Sequence, residues 1–538
     1  MIDVLVVVYR PDVDELGAAL DALAAARADG VDLRVHLWHN DDGPAATPGL
    51  EAACERLRAR GVPLAVGGGR GNLGFGGGVN ALLAGVGAEH VLLLNQDAIP
   101  EPGALAWLWQ VARDDAHEVA AWEMRQIPYE HPKDYDPVTL DTGWCSGAAV
   151  LLRTRALREA GGFEPRIFMY GEDVDLSWRL RCAGWRLRYL PRCAVVHRTY
   201  AAPNEVKPLQ VLGSVYANLA LRARFAGRRC VAQGVAMVLR ELKGPQPFAG
   251  RRRGIARALA RFALNYRYFR RTRRAGPGFE PCFNGWDFEP RREGAFHAFR
   301  AAAERPAPRP LVTLIVRSHG RTASLRQALA TIANQTHRPL EVLVVQEGDD
   351  DIAPLCRAFA QQVDVREVRA EPQGAGGATS RALAEARGEW LGIVDDDQRL
   401  YADHVEVLLQ AALDAGAPAA YALAWRVWTR VVDARAGAFD DLQRDTWPDA
   451  PATPGSLPLQ AVLFHRELYE RHGGFASGDE PPDAGRLWER YARGGEFVAV
   501  RKHTSLYRVP AAPLPGTSGG ATAPSSRPRR RDACSGGG

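Results

Sequence analysis

The sequence predicts an α/β fold of two domains, each a mostly parallel sheet flanked by helices. Two apolar runs rich in β-branched residues, VLVVVYRPD at 4–12 and VTLIVRSHGR at 312–321, have the composition of strands buried on both faces. Each is followed by a helical pattern and then by another apolar run, DLRVHLWHNDD or LEVLVVQEGDD. Strands that alternate with helices in this way form parallel sheets covered by helices.

Further motifs recur in the same order in both halves, which indicates an internal duplication. VLLLNQD at 91–97 matches LGIVDDDQ at 391–398, and GGF at 161–163 recurs at 473–475. A chain of 538 residues is long enough for two or three domains. We predict four parts in chain order: a first domain over 1–239, a basic linker over 240–309, a second domain over 310–510, and a disordered tail over 511–538.

Composition and charge exclude several classes of protein. Hydrophobic residues make up 46% of the chain and charged residues 24%, so a core can form and wholesale disorder is excluded. A formal charge of +5 is too balanced for a dedicated nucleic-acid binder. The sequence has no run approaching the roughly 18 apolar residues of a membrane span. The start, MIDVLVVVYRP, indicates a strand and not a secretory signal.

The cysteines point to a reducing compartment. All eight are scattered and none forms a CxxC pair, which disfavours a zinc site and predicts reduced thiols. We therefore expect a cytoplasmic protein.

The linker carries a strongly basic stretch. Residues 240–274 hold twelve basic residues and one acid, Glu241. An apolar stripe at helical spacing predicts a basic amphipathic helix. Such a helix either packs its stripe on a domain and solvates its arginines, or contacts anionic lipid through residues 251–274 at the inner face of the plasma membrane. The stripe consists of Ile255, Leu259, Phe262, Tyr266 and Phe269.

A glycine loop in the first half matches the dinucleotide-binding motif but does not follow the first strand, as that motif requires. Gly69, Gly71 and Gly74 form GxGxxG between a short strand and a helical run. In a dinucleotide fold this loop follows the first strand, whereas here at least two strand patterns come earlier. A nicotinamide or flavin site is therefore disfavoured, although the loop lets the backbone approach a nucleotide or sugar closely.

Carboxylates at strand ends are the first chemical signal. Asn95, Gln96 and Asp97 close an apolar strand, at the edge where open α/β sheets bind ligands. Mg²⁺ or Mn²⁺ reaches a diphosphate through one or two carboxylates, with phosphate oxygens and water completing its shell. A turn aspartate that caps the next segment is the simpler explanation. Recurrence of acids at Asp395, Asp396 and Asp397 weakens that explanation.

The strongest chemical signal is GEDVDLSWRLRCAG, where Glu172, Asp173 and Asp175 begin a helical run. Acids at a helix start are partly explained by the helix dipole. They also supply a base that removes a proton from an attacking hydroxyl. His197 ends the next strand pattern and, as a neutral imidazole, can approach the same cation. A lone histidine at a strand end is more often structural.

These motifs together resemble family-two glycosyltransferases of the GT-A fold. The residues that carry the resemblance are HNDDG, GNLGFGGGVNALL, LLLNQDAIPEPGAL and GAAVLLRTRALREAGGFEPRIFMYGEDVDLSWRLRCAGWRLRYLPRCAVVH. They look most like bacterial rhamnosyltransferase-like members and cover about residues 2–225, with a weaker match over about 310–510.

The resemblance implies a nucleotide-sugar site and a divalent cation. Asp97 would bind the metal diphosphate, with His197 as a further metal ligand. NQD replaces the usual DxD motif, so one carboxylate remains and dependence on Mg²⁺ or Mn²⁺ is in doubt. The residues that would border the base and the nucleotide sugar are Tyr9, Asn40, Asp41, Asn72, Gly74, Asn80 and Asn95.

It also implies the catalytic and acceptor residues. Asp173 would be the general base of an inverting displacement, and Glu172 would contact or orient the acceptor. The residues expected beside the acceptor or sugar are Trp144, Ser146, Gly147, Asp175 and Trp178.

The second half departs from this pattern. It keeps Asp395 and Asp397, and His503 is taken as the parallel of His197. The base-reading acid is replaced around Gln346 and Glu347. Aligning DAGRLWER with EDVDLSWR puts Ala484 at the place of Asp173 and Arg486 at that of Asp175. This half therefore lacks its proton acceptor, unless an acid of the same region substitutes: Asp479, Glu480 or Asp483.

We therefore predict an inverting transferase that moves rhamnose or a similar sugar from a nucleotide diphosphate to a cell-surface or lipid-linked glycan. The first domain would be catalytic and the second impaired or specialised for the acceptor. A non-catalytic glycan-binding scaffold is the alternative from another class. A nucleotidyltransferase is disfavoured because the chain lacks the expected Arg- and Lys-bearing glycine loop.

Overall fold

A computed structural model gives the fold. It describes residues 1–41, 49–130, 133–199, 205–294, 297–346, 351–369, 374–433, 438–447, 452–475 and 483–510. The predicted tail, Glu347, Asp479 and Glu480 lie outside the described residues.

The first half forms an eight-stranded sheet with spatial order β3-β2-β1-β4-β7-β6-β8-β5. Strands β3 to β4 pair in parallel, whereas β7 pairs antiparallel to both β4 and β6. The sheet is therefore mixed beyond β4. Its strands are β1 (Ile2–Val8), β2 (Leu33–His39), β3 (Leu64–Gly68), β4 (His90–Asn95), β5 (Ala98–Pro100), β6 (Val119–Ile127), β7 (Ala149–Arg153) and β8 (Arg186–His197).

Helices cover both faces of this sheet. All seven residues of β1 are buried, because one apolar cluster lies on each side of the strand. This explains the continuous apolar run in the sequence. The helices are α1 (Val13–Ala28), α2 (Leu50–Ala59), α3 (Gly74–Leu83), α4 (Ala104–Asp114), α5 (Thr154–Glu159) and α6 (Glu172–Cys182).

The second half repeats the same strand order, β11-β10-β9-β12-β16-β14-β17-β13, with β15 paired to β14. The predicted α/β fold is confirmed, and the shared order agrees with a duplication. The strands are β9 (Val312–Ser318), β10 (Leu340–Gln346), β11 (Asp364–Arg369), β12 (Trp390–Asp395), β13 (Arg399–Leu400), β14 (Ala419–Asp433), β15 (Ala438–Trp447), β16 (Val462–His465) and β17 (Phe497–Pro510).

Three helices follow the first sheet: α7 (Pro208–Phe225), α8 (Arg228–Lys243) and α9 (Arg251–Arg271). α9 buries Ile255, Phe262 and Phe269 in a cluster with residues of α7 and α8. The apolar stripe is thus used for packing, which is one of the two interpretations left open above. The helices of the second half are α10 (Thr322–Ala333), α11 (Ala353–Phe359), α12 (Gly374–Glu385), α13 (His404–Ala415), α14 (Arg466–His472) and α15 (Ala484–Tyr491).

A buried group of charges joins the two halves. Arg292 of the linker lies 3.2 Å from Asp403 of the second half and 3.5 Å from Glu130 of the first. Lys502 lies 3.1 Å from Glu130 and 3.3 Å from Asp403. These four side chains are at most 2% exposed. Charges removed from water are tolerated only when paired, so each half supplies counter-ions for the other.

No helix in the described ranges combines the length and apolar character that crossing a membrane requires. All seven cysteines described by the structure are free, as the sequence predicts.

Removing one member of the buried charge group is expected to be costly. Arg292→Met leaves Asp403 and Glu130 without their guanidinium, and losing one partner of a buried pair costs about 3–5 kcal/mol. The measurement is urea unfolding of the full chain at neutral pH. Arg300→Met is the matched control, because Arg300 pairs with Asp414 of the second half at an exposed position, 2.6 Å apart. An exposed pair contributes about 0–1 kcal/mol; equal losses in the two variants would contradict this account.

Candidate active site

The carboxyl ends of β1 and β4 form the edge on which the site is built. Val7 pairs with Asn95, so the residues after each strand meet. Gln96 fixes this edge: its Oε1 accepts the Tyr9 N–H at 2.8 Å and its Nε2 donates to the Tyr9 carbonyl at 3.2 Å. Tyr9 is exposed, with the Arg10 guanidinium 5.2 Å from its ring centre. The Arg10 N–H lies 3.4 Å from Asp41.

Asp97 and His197 form a pair at this edge. Ala98 pairs with His197 across β5 and β8, which brings His197 Nε2 to 3.3 Å from Asp97 Oδ1. His197 Nδ1 lies 2.7 Å from Gln126 Oε1. When Nδ1 donates to Gln126, Nε2 presents a lone pair to a carboxylate oxygen, and two acceptors at this distance need a proton or a cation between them.

The charge state of Asp97 agrees with this geometry. Burial alone would raise its pKa, but the hydrogen bond with His197 and the charges of His197 and Lys207 outweigh burial and lower it. Asp97 therefore stays ionised. Within the described residues there is no group of three His, Cys, Asp or Glu side chains placed to hold a metal. One carboxylate and one imidazole fit a cation whose other ligands come from a diphosphate and water.

Asp173 lies at the start of α6, two residues after Gly171, a position that accommodates only glycine. Gly171 has φ +103°, and a Cβ there would lie 2.6 Å from the Ala217 Cβ of α7. Asp173 Oδ1 accepts the Val174 N–H at 2.8 Å, and Oδ2 accepts the Gly147 N–H at 3.3 Å.

Two hydrogen bonds connect Asp173 to the edge that holds Asp97. The Asn95 N–H donates to the Ala148 carbonyl at 2.8 Å, and the neighbouring residue, Gly147, donates to Asp173. The loop before β7 therefore contacts both the end of β4 and the start of α6. Asp97 and Asp173 consequently flank the same stretch of backbone at one edge of the sheet.

Glu172 and Asp173 have different environments. Burial, followed by the Asp173 charge, raises the pKa of Glu172 to about 8. Burial also raises the pKa of Asp173, but N–H donors from Gly147 and Val174 counteract it. Near neutral pH, Glu172 is therefore protonated. Among the described residues, Glu172 Oε2 has no hydrogen-bond partner.

A buried ammonium supports the loop beside Asp173. Lys133 Nζ lies 2.6 Å from Glu123 Oε2, 2.6 Å from the Trp144 carbonyl and 4.0 Å from the centre of the Trp144 ring. Trp144 is half-buried, and Ser146 is buried, with its Oγ accepting the Ala148 N–H at 3.3 Å. The sequence did not signal the importance of Lys133 and Glu123, because their pairing depends on how the segment after β6 folds back onto that strand.

The asparagines predicted to line the nucleotide-sugar pocket make hydrogen bonds to each other and to the backbone of neighbouring loops. Asn40 Nδ2 donates to Asn72 Oδ1 at 3.0 Å and to the Gly74 carbonyl at 3.1 Å, while its Oδ1 accepts the Leu73 N–H at 2.8 Å. Asn80 bonds both the N–H and the carbonyl of Phe163. These amides fix the glycine loop and the GGF turn.

Two residues expected beside the acceptor point into the interior. Asp175 is paired with Arg224 at 2.6 Å and with Arg179 at 2.7 Å, which fastens α6 to α7. Trp178 is 1% exposed. It packs in an aromatic cluster formed by Phe225, Phe279, Phe283 and Phe288.

The second half does not reproduce this arrangement. His503 stacks on Trp425 at 3.9 Å and accepts the Glu293 N–H, so it lies against the linker and not with Asp395 and Asp397. The register places Arg399 opposite Leu506, and one residue further Tyr507 takes the place of His197. Asp483 caps α15 by accepting the Arg486 N–H at 3.1 Å, and Ala484 follows it.

The sequence matches known proteins, and the family-model match lies in the second half of the chain. Residues 313–435 match the family model described as Glycosyl transferase family 2. Over 62 residues the chain is 47% identical to N-acetylglucosaminyl-diphospho-decaprenol L-rhamnosyltransferase of Mycobacterium tuberculosis, covering 12% of this chain and 20% of that protein. Over 102 residues it is 31% identical to Rhamnosyltransferase WbbL of Escherichia coli, covering 16% of this chain and 38% of that protein. The chain thus spans well under half the length of either relative.

Among solved structures, the chain resembles the mannosyltransferase PcManGT from Pyrobaculum calidifontis, with a TM-score of 0.33 and 17% identity over 50% of this chain and 83% of that chain. A likeness this low does not bear on the site. The family model and both named relatives are glycosyltransferases, so the matched segments of this chain are similar to that class of enzyme.

Replacing Glu172 by Gln is expected to flatten the pH dependence of stability. A carboxyl group whose folded pKa is raised from 4.5 to about 8 stabilises the folded state below its unfolded pKa, and this contribution is lost as the pH rises through 8. One pKa unit corresponds to about 1.4 kcal/mol. The free energy of unfolding of the wild type should therefore fall by more than about 1 kcal/mol between pH 5 and 9, and that of Glu172→Gln should not show this fall. Urea unfolding at both pH values measures this. Glu159→Gln, at an exposed position, is the control, and identical slopes in wild type and Glu172→Gln would refute the assignment.

Proposed function

We propose that the first half is an inverting glycosyltransferase that moves a sugar, rhamnose or a related deoxyhexose, from a nucleotide diphosphate to a hydroxyl of a glycan. The observation that carries the proposal is the connection of Asp97 and Asp173 through Asn95, Ala148 and Gly147. It supports one cleft with a diphosphate-facing acid on one side and a base on the other.

The proposed reaction is a single displacement. Asp173 takes the proton of the acceptor hydroxyl while that oxygen attacks the anomeric carbon. The bond between the anomeric carbon and the diphosphate oxygen breaks, and the nucleoside diphosphate leaves with the electron pair. Because attack and departure occur on opposite faces, the anomeric centre inverts.

Asp97 and His197 would hold Mg²⁺ or Mn²⁺, and such a cation would stabilise the charge of the leaving diphosphate. Gln126 orients His197 for this role from its other ring nitrogen. Outer contacts of this kind set the direction of the ligand's lone pair, which supports the choice of His197 as a ligand despite the missing first acid of the DxD motif.

Other residues would shape the two substrate positions. Tyr9 is exposed, and the N–H of the next residue, Arg10, lies 3.4 Å from Asp41. Tyr9 and Asp41 would border the base. Glu172, protonated and with a free oxygen, would donate to the acceptor or sugar. Trp144, whose ring centre lies 4.0 Å from Lys133 Nζ, would contact a sugar ring.

For the acceptor we propose a lipid-linked glycan precursor of a cell-surface polysaccharide. The name of the Mycobacterium relative specifies a diphospho-decaprenol-linked sugar as its acceptor. Such an acceptor lies at a membrane, so the protein would act in the cytoplasm as a peripheral protein of the inner face of the plasma membrane.

The helices α7 to α9 supply a surface that suits this location. Arg252, Arg253 and Arg257 are exposed on α9, and Leu264 further along the helix is 86% exposed. Glu241 is the one acid among residues 207–274, and it pairs with Arg251. Basic side chains around an exposed apolar residue are drawn to anionic headgroups.

Asp173→Asn is expected to reduce sugar transfer roughly 100- to 10,000-fold, because the acceptor hydroxyl loses its proton acceptor. Donor binding should be unchanged. The donor is first chosen by thermal shift from dTDP-, UDP- and GDP-sugars with and without Mn²⁺. Transfer is then measured as release of the nucleoside diphosphate with N-acetylglucosaminyl-diphospho-decaprenol as acceptor.

Asp397→Asn is the matched control, since it changes the corresponding acid cluster of the second half and should retain transfer. Retained transfer in Asp173→Asn together with loss in Asp397→Asn would move catalysis to the second half. Absence of stabilisation by every nucleotide sugar would favour the non-catalytic scaffold.

Replacing Arg252, Arg253 and Arg257 together by Gln is expected to weaken binding to phosphatidylglycerol vesicles on the order of 100-fold, at about 1 kcal/mol for each arginine. Co-sedimentation with the vesicles at low salt measures the affinity. The matched control removes three exposed arginines elsewhere, Arg113, Arg155 and Arg471, and should bind nearly as the wild type does. Equal weakening in both variants would show that net charge alone, and not the α9 surface, governs attachment.

A further inference from the structure

Three consecutive aspartates end β12 at the place where a metal diphosphate is expected in the second half. Arg317 Nε lies 2.7 Å from Asp395 Oδ1, and the same guanidinium makes a second contact with that oxygen at 2.6 Å. Arg321 donates to Asp397 Oδ2 at 2.9 Å and also pairs with Asp396. Every carboxylate of the cluster therefore has a guanidinium of the chain itself as its counter-ion.

Two further oxygens of the cluster are also engaged. Asp396 Oδ2 accepts the His319 N–H at 3.0 Å, and Gln398 Nε2 donates to Asp397 Oδ1 at 2.8 Å. Two more guanidiniums reach the backbone of the same turn: Arg399 donates to the Asp396 carbonyl and Arg508 to the Asp397 carbonyl. A divalent cation at this position would displace these donors and meet positive charge on several sides.

The first half has apolar residues where these arginines stand. Arg317 pairs with Asp395 as Val7 pairs with Asn95, so the two strands can be compared position by position. This comparison places Arg321 at the position of Pro11. Asp397 in turn corresponds to Asp97, whose nearest cationic partner is His197 and whose side chain is 38% exposed. Of the three acids only Asp397 has an acidic counterpart in the first half, and two uncharged neighbours there correspond to arginines in the second half.

We propose that Arg317 and Arg321 replace the divalent cation in the second half, so that its three-aspartate cluster is closed to metal and any metal requirement of the chain arises in the first half alone. This inference concerns ion binding and goes beyond the proposed sugar transfer. It assigns the cluster a structural role, in which the arginines hold the loop after β9 against the end of β12.

The test counts Mn²⁺ bound to the full chain, using the electron paramagnetic resonance signal of free Mn²⁺. Arg317→Gln/Arg321→Gln is expected to bind one Mn²⁺ per chain more than the wild type, because the carboxylates are then uncompensated. Adding Asp397→Asn to that variant should remove the extra ion. Asp397→Asn in the wild-type background should leave the count unchanged.

The proposal is overturned if Asp397→Asn alone loses an ion, if the arginine variant gains none, or if the gained ion survives Asp397→Asn. Circular dichroism checks that each variant is folded. Should the double variant not fold, Arg321→Gln alone serves with the same criteria, since its side chain is 24% exposed and its removal frees two of the three acids. These outcomes are independent of Asp173, so a failure here is distinct from a failure of the proposed transfer.

Discussion

The hydrogen bond from the Gly147 N–H to Asp173 is the contact on which the site depends. The loop that provides it also accepts the Asn95 N–H, so the sheet edge and the start of α6 are fixed to each other through two consecutive residues, Gly147 and Ala148. A Cβ at position 147 would lie 2.8 Å from the Phe75 ring of α3, which explains why glycine stands there. Asp173, the end of β4 and the Phe75 ring at the start of α3 thereby all adjoin the same loop.

Local sequence patterns were sufficient to predict the fold class and to single out the acidic residues at the start of α6. The apolar runs of β1 and β9 and the GED sequence of α6 lie within single elements, where spacing along the chain reflects position in space. The roles of Gln126 and Arg317 depend on pairings between strands that are distant in sequence, and the role of Lys133 depends on how the segment after β6 folds back. The chain around each of them is unremarkable. Asp175 and Trp178 were expected at the acceptor because they neighbour Asp173 in sequence, but helical geometry turns them toward the core.

Comparison of the halves shows how one architecture carries two different charge patterns. Strand order, the GGF turn and one acid after the fourth strand of each sheet, Asp97 or Asp397, are shared. In the first half an asparagine side chain, Asn80, bonds the backbone of Phe163, and in the second Ser380 bonds the backbone of Phe475. What differs is the set of side chains facing the acids, where two arginines stand in place of a valine and a proline. Divergence has altered the electrostatics of the site and left the framework intact.

The charge group between the halves restricts how such a chain can evolve. Glu130 and Arg292 have their counter-ions in a segment more than a hundred residues away, so neither duplicated unit presents a finished surface by itself. A gene split within the linker would yield two products, each with buried charged groups that lack their counter-ions. The second unit therefore has a reason to be inherited with the first, whatever chemistry it performs.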